Sequence, residues 1–283
     1  MTLNPEIERH LREFPGMPAF SQDLVVYLQD PEADFARVTE MIQYDPGLTA
    51  NILKMANSVA YGGVRKVDSL RAALPRLGVN RVLEMVLALT VSTRLVTDLP
   101  GMGLGGDDLL RHSIFTAVAA GELARLLGMR HTEMAFTIGL MHDLGMVVLD
   151  PFVARHKARF DDLFQASDRS FEQVEQEVLG IDHAEAGARI LADWRLSDAV
   201  VTAVRWHHEP ERVEAHRELV NLIHLADILA FSQGIGTGDY GMGFRASSDA
   251  ISALGLRQKQ VEYVASETVD KMRELAGILG LRP

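Results

Sequence analysis

Cysteine is absent from this 283-residue chain. That excludes disulfides, thiolate nucleophiles, cysteine-type zinc sites and iron–sulfur clusters, so any metal must sit on histidine nitrogen and carboxylate oxygen. Basic charge is also short: 28 Lys and Arg face 39 Asp and Glu, a net charge of −11 with a pI near 5.4. Such a chain repels a phosphate backbone, and binding to a nucleic-acid polymer is not expected. A small anionic ligand stays open where metal or arginine neutralises it locally. Apolar runs such as residues 85–91 fall far short of the roughly 18 residues of a membrane helix. The N-terminal segment is charged and lacks the apolar stretch of a secretory signal, so the expectation is a cytoplasmic protein without a membrane partner. Alternating apolar and polar runs bounded by hairpin turns are missing too, which leaves little room for strands.

What is present is helical periodicity. Phe35, Val38, Met41 and Ile42 share one face, as do Leu48, Ile52, Leu53 and Met55, and Leu109, Phe115, Val118, Ala119 and Leu123 further on. Asp45-Pro46 reads as a cap before proline at the first helical position, Ser197 and Asp107 as further caps, and Gly78, Gly128, Gly180 and Gly255 as stops. The fold expected is all-α. A breaker cluster at residues 99–106 predicts a division into an N-terminal helical subdomain, 1–105, and a second helical subdomain, 106–283. A glycine-rich loop at residues 234–243 follows no strand and carries no Lys-Ser/Thr, so it reads as a connection, not a phosphate cradle. Arg65, Lys66, Arg71, Arg76 and Arg81 make a local basic run that reads as a solvated face.

Candidate chemistry is sought among the ten histidines, of which His10, His131, His156, His216 and His224 read as ordinary residues. Taken singly, each is more often a hydrogen-bonded residue than a ligand, and His207-His208 at a helix end would complement the helix dipole. Asp227 and His142-Asp143 differ, because both carboxylates are embedded in apolar sequence. A buried carboxylate demands a cation or strong donors. Two such carboxylates and several histidines, all in helical sequence, are what a metal site in a bundle needs.

The order His112, His142-Asp143, Asp227 resembles the H…HD…D signature of the HD-domain metal-dependent phosphohydrolases. His183 and His207-His208 resemble the additional ligands of the HD-GYP branch, which binds two or three metals and hydrolyses cyclic dinucleotides. Asp108 stands where some of that branch carry an extra carboxylate. Residues 45–58, with Asp45-Pro46-Gly47 at the start and Asn57-Ser58 at the end, are similar to the N-terminal hallmark of the HDOD family, the HD-related output domains of bacterial signalling. Residues 69–78, 139–145 and the stretch from Asp182 through Trp194 to His207-His208 resemble it as well, so the likeness covers about residues 14–232. Asn57 and Ser58 would end their helix through side-chain to backbone hydrogen bonds.

That resemblance implies a multi-helix HD-like bundle packed with an N-terminal helical subdomain. The implied ligands are His112, His142, Asp143 and Asp227 for one ion, with Asp143 bridging to a second held by His183, His207 and His208, and Asp108 as an eighth candidate. A sulfur-free His/carboxylate set suits one or two ions of iron or manganese, or of nickel or zinc. Two metals about 3.5–4 Å apart would activate a bridging water for phosphoester displacement. The implied role is a signalling output module acting through a protein partner or a nucleotide or cyclic-dinucleotide ligand, with phosphohydrolase activity as the alternative. Two departures favour the former. Met146 stands where HD-GYP enzymes place a phosphate-contacting lysine, and Glu209-Pro210-Glu211-Arg212 replaces the Gly-Tyr-Pro motif.

Overall fold

The computed structural model describes the chain apart from residues 1–2, 17–18, 29–31, 59–65, 130–131, 167–168, 242–245 and 280–283. The helices are α1 (Pro5–Glu13), α2 (Ala19–Leu28), α3 (Phe35–Ile42), α4 (Pro46–Ala56), α5 (Leu70–Leu77) and α6 (Val79–Leu95). After the 99–106 turn come α7 (Asp108–Leu126), α8 (Thr132–Met141), α9 (Leu144–Arg155), α10 (Lys157–Ala166) and α11 (Phe171–Leu179). The chain ends with α12 (His183–Asp193), α13 (Asp198–Trp206), α14 (Arg217–Ser232), α15 (Ser248–Ala253) and α16 (Gln258–Leu279). One isolated bridge, Leu99 to Leu104, is the only strand-like pairing among the described residues, so the fold is all-α as expected.

Two compact units result: residues 17–93 with 273–283, and residues 1–16 with 94–272. In the smaller unit, the Asp45 carboxylate accepts the Leu48 amide at 2.9 Å, with Pro46 in the first turn, and this starts α4. Asn57 ends it. Its Nδ2 donates to the carbonyls of Leu53 and Val67, both at 2.8 Å, and its Oδ1 accepts the Val67 amide at 2.8 Å. Ser58 adds only its main-chain N–H, on Met55. Leu24, Val38, Ile42, Ile52, Leu74 and Leu87 fill this core, each contributing about 1.5–3 kcal/mol by burial. Two residues of the basic run are held locally, Arg76 on the Ala56 carbonyl and Arg81 on Glu84, while Arg65 lies outside the described residues.

The larger unit begins with α1, which packs on α9 and α12. Ile7 is buried there, and Arg155 reaches Glu6 with two hydrogen bonds of 2.6 and 3.1 Å. The 99–106 turn is held in the same unit by Asp150, whose carboxylate accepts the Met102 amide at 3.0 Å. The expected division at residue 105 therefore falls inside this unit, and residues 1–16 lie in it as well.

Helix α7 is buried on nearly every side, with Phe115, Ala117, Ala119 and Leu123 inaccessible. Helix α8 approaches it closely: a Cβ on Gly139 would stand 2.7 Å from the Ala117 Cα. Helix α9 approaches α12 as closely, since a Cβ on Gly145 would stand 2.0 Å from the His183 carbonyl oxygen. Two helix crossings thus bracket His142-Asp143, which occupies the short turn between α8 and α9. The turn also hides an apolar stretch that run length underrates: an 18-residue window within residues 134–155 reaches a mean hydropathy of 1.4, and 89% of that window is buried inside the fold. It is core, crossed by two polar residues that the bundle turns inward.

Candidate metal centre

Seven side chains from five places in the larger unit converge. His112 comes from the second turn of α7, His142 and Asp143 from the α8–α9 turn, and His183 from the first residue of α12. His207 and His208 follow α13, and Asp227 sits in α14. Asp143, His183, His207 and His208 bring ligand atoms within 4.8 Å of one another, as do His112, His142 and Asp227. The two sets touch: Asp143 lies 3.1 Å from His142 Nε2 and 3.4 Å from His112 Nε2, while His208 Nδ1 lies 3.8 Å from Asp227.

Asp108 is the exception. Its carboxylate accepts the Gly105 amide at 2.8 Å, closing the turn before α7, and it joins neither set. That bond engages one carboxylate oxygen, Oδ2, one turn away from the cluster.

The protons on the rings follow from their partners. His112 Nδ1 faces the Ile235 carbonyl at 3.1 Å, His142 Nδ1 the Gly139 carbonyl at 2.8 Å, and His207 Nδ1 the Val204 carbonyl at 2.7 Å. A carbonyl oxygen only accepts, so each Nδ1 carries a proton, and in the neutral ring each Nε2 turns an open lone pair inward. His183 Nδ1 is held instead by Glu175, a carboxylate, at 2.5 Å. The consequence is unfavourable without a cation. His112 Nε2 and His142 Nε2 stand 3.2 Å apart, and His183 Nε2 and His208 Nε2 2.8 Å apart. With the rings neutral, Asp143 Oδ1, His207 Nε2 and both oxygens of Asp227 are buried without a hydrogen-bond donor, although His112 Nε2 lies only 2.9 Å from Asp227 Oδ1. Orphaned acceptors in a dry interior carry a large desolvation penalty. A proton or a metal ion relieves it.

The titration behaviour has the same origin. Burial works against the protonated form of His142, yet the carboxylates of Asp143 and Asp227 hold it up to about 10. Burial opposes protonation of His183 too, and Glu175 and Asp143 hold it up to about 10. Burial would raise Asp143 and Asp227, but the surrounding imidazoles, His142 above all for Asp143 and His112 with His142 for Asp227, keep both well below the usual carboxylate range. His207 and His208 are pushed below the ordinary histidine value, chiefly by burial and, for His208, by the neighbouring rings of His207 and His183. The cluster is an electron-rich pocket that attracts positive charge.

Three supporting groups were not legible as such in the sequence. Glu175, on α11, is wholly inaccessible and orients His183. His224, on α14, donates from Nδ1 to the His207 carbonyl at 2.7 Å and accepts the Ser247 amide on Nε2 at 2.8 Å, fixing the turn that carries the ligand pair. The glycine loop is a strap as well as a connection. Ile235 holds His112, Asp239 donates its amide to the Met102 carbonyl at 2.9 Å, and a Cβ on Gly236 would stand 2.6 Å from the His112 Cβ. Its residues 242–243 lie outside the described ones. Met146, at the position of the HD-GYP lysine, is buried in the core.

A helical bundle that projects paired His/Asp sets inward from facing helices defines an HD-type fold. The HDOD domain family model matches residues 14–210, more than half of the chain, and the chain belongs to the HDOD family. The match ends before Asp227, so the last ligand candidate lies beyond it. A proposed signal transduction protein from Marinobacter aquaeolei VT8 shares the fold with a TM-score of 0.75 at 22% identity, covering 98% of this chain and 65% of that one. A proposed phosphohydrolase from Shewanella amazonensis SB2B gives 0.68 at 23% identity, covering 96% and 95%. An uncharacterized protein of Treponema pallidum (strain Nichols) is 21% identical over 232 residues, 80% of this chain and 44% of its own length. The chain thus spans less than half the length of that curated relative.

Proposed function

We propose that this chain is a cytoplasmic HDOD signalling module whose His/Asp cluster binds one or two divalent transition-metal ions. The metal would be iron or manganese, or otherwise nickel or zinc, and the module would report through a protein partner. The observation that carries the metal reading is the set of orphaned acceptors: with the rings neutral, four buried ligand atoms of Asp143, His207 and Asp227 have no hydrogen-bond donor, and two pairs of Nε2 atoms face each other at 2.8 and 3.2 Å. His112, His142 and Asp227 would hold one ion, and Asp143, His183, His207 and His208 the other. A bound ion of this kind supplies Lewis acidity and lowers the pKa of a coordinated water.

The signalling reading is supported by the family, by the description of the Marinobacter relative, and by Met146, whose apolar side chain is buried where a phosphate-holding cation would be needed. The second reading, a metal-dependent phosphohydrolase of a nucleotide or cyclic dinucleotide, is favoured by one feature, the adjacency of two complete ligand sets sharing the Asp143 corner.

Metal analysis of the purified chain beside a turnover assay on a phosphoester panel separates the two. Tightly bound metal that is lost in His142→Ala and Asp143→Ala, with no turnover, supports the module. Metal-dependent turnover abolished by the same substitutions favours the hydrolase. A metal-replete, anaerobically purified protein that holds no transition metal overturns both.

A further inference from the structure

Among the ring nitrogens that face away from the cluster, one has a different kind of partner. His112, His142 and His207 are each backed by a neutral main-chain carbonyl. His183 is backed by Glu175, whose Oε2 lies 2.5 Å from Nδ1 and 3.0 Å from the His183 amide nitrogen. That amide opens α12, so the carboxylate also sits at the positive end of a helix dipole, which favours its ionised form, while burial works the other way and pushes the carboxyl up. Glu175 and His183 are both fully inaccessible, the second oxygen of Glu175 has no partner, and Phe171 stacks over the imidazole with centroids 6.1 Å apart. A carboxylate behind an imidazole makes its far nitrogen a stronger donor than a carbonyl does, and losing such a partner typically weakens metal affinity about 10–100-fold.

Resting on the metal reading above, we infer that Glu175 is a positioning residue that makes the two ligand sets unequal. The Asp143–His183–His207–His208 set then binds its ion through a carboxylate-backed histidine, and Glu175 acts on that half through His183. The histidines of the His112–His142–Asp227 set are backed by main-chain carbonyls instead.

The test is equilibrium dialysis of the full chain against Co2+, with metal content and the visible Co2+ spectrum as readouts, for wild type and Glu175→Gln. Glutamine keeps a carbonyl acceptor and removes the charge. The expected result is two ions in wild type, of which one is weakened about 10–100-fold in the variant, with its part of the spectrum lost and the other part unchanged. A variant that keeps every wild-type ion at wild-type affinity overturns the role of Glu175 and leaves the metal reading intact. A wild type that binds no ion fails the metal reading itself. Should Glu175→Gln not fold, histidine nitrogen NMR of the metal-free wild type decides. A protonated His183 Nδ1 with its proton resonance downfield of the carbonyl-backed histidines supports the inference, and an unprotonated Nδ1 overturns it.

Discussion

The two compact units differ in what they bury. In the smaller one, residues 17–93 with 273–283, the described core is apolar and Glu84 is the only charged side chain among its described buried residues. The larger one buries His112, His142, Asp143, Asp150, Glu175, Asp182, His183, His207, His224 and Asp227. Both are helical and obey the same packing rules, so architecture alone does not explain the contrast. Burying polar groups without compensation lowers stability, and their concentration in one unit locates the chemistry there. The smaller unit derives its stability from burial and caps, and the larger one forgoes part of its own to hold the cluster.

The sharpest way to break that contrast is to remove the centre. His142→Ala and Asp143→Ala should each abolish stable metal binding, measured by metal content, while leaving the cap and core of the smaller unit untouched. Gly236→Ala comes next. The position has φ +72°, and an added Cβ would meet the His112 Cβ at 2.6 Å, so the strap must shift and release the carbonyl of Ile235 from His112. A loss of about 2–4 kcal/mol is expected from strain and displaced packing, readable in a denaturant titration. Metal affinity should fall in the His112–His142–Asp227 set and hold in the other. Equal loss in both sets would mean that the strap supports the whole centre.

How much of this could be read from the chain depends on which kind of contact is involved. Ligand-type residues declare themselves when apolar sequence surrounds them: His142-Asp143 and Asp227 were legible because an unpartnered carboxylate in such a setting is costly. The helices were legible from period and punctuation, as at Asp45-Pro46. Glu175 was not. It lies in Phe171-Glu172-Gln173-Val174-Glu175, where a glutamate looks like any solvated helix residue, and only the meeting of α11 with α12 sends it inward. His224 was hidden likewise, since its partners are a carbonyl and an amide that sequence does not rank. The contacts of residues 234–241 are not legible in the sequence because glycine announces permissive backbone, not what the backbone lies against. Here two of these residues lie against His112. Asp108 shows the reverse: spacing one turn from a ligand proposes a ligand, and the structure shows one of its oxygens on the Gly105 amide, outside both sets.

Asp150 tests whether buried charge in the larger unit is confined to the metal centre. Burial pushes its carboxyl up to about 6, against the amides of Met102 and Gly101, which pull it down. Its folded value lies above its unfolded one, so its contribution is fully present below the unfolded value near 4 and is lost as pH rises through about 6. Asp150→Asn keeps an acceptor for the Met102 amide and removes the charge. The variant should be more stable than wild type by about 1–3 kcal/mol at pH 8. The gap should close as pH falls below 4, when both side chains are neutral, in melting curves taken across that range. A gap independent of pH would place the effect in packing and not in charge.

The smallest effect tests the other side of the contrast. Asn57 closes α4 with three side-chain hydrogen bonds of 2.8 Å, two to carbonyls and one from the Val67 amide. Asn57→Ala leaves those main-chain groups to find water, and each net bond in such a clasp contributes about 0.5–1.5 kcal/mol. A loss of about 1–2 kcal/mol is expected because the site is partly exposed and water substitutes in part. Metal content should stay at the wild-type level, since no ligand candidate lies in that unit. A variant that melts earlier yet keeps its metal would establish that the smaller unit is stabilised separately from the centre. If metal is lost together with the clasp, the division between a packed unit and a chemical one fails, and α4 then acts on the cluster as surely as Glu175 does.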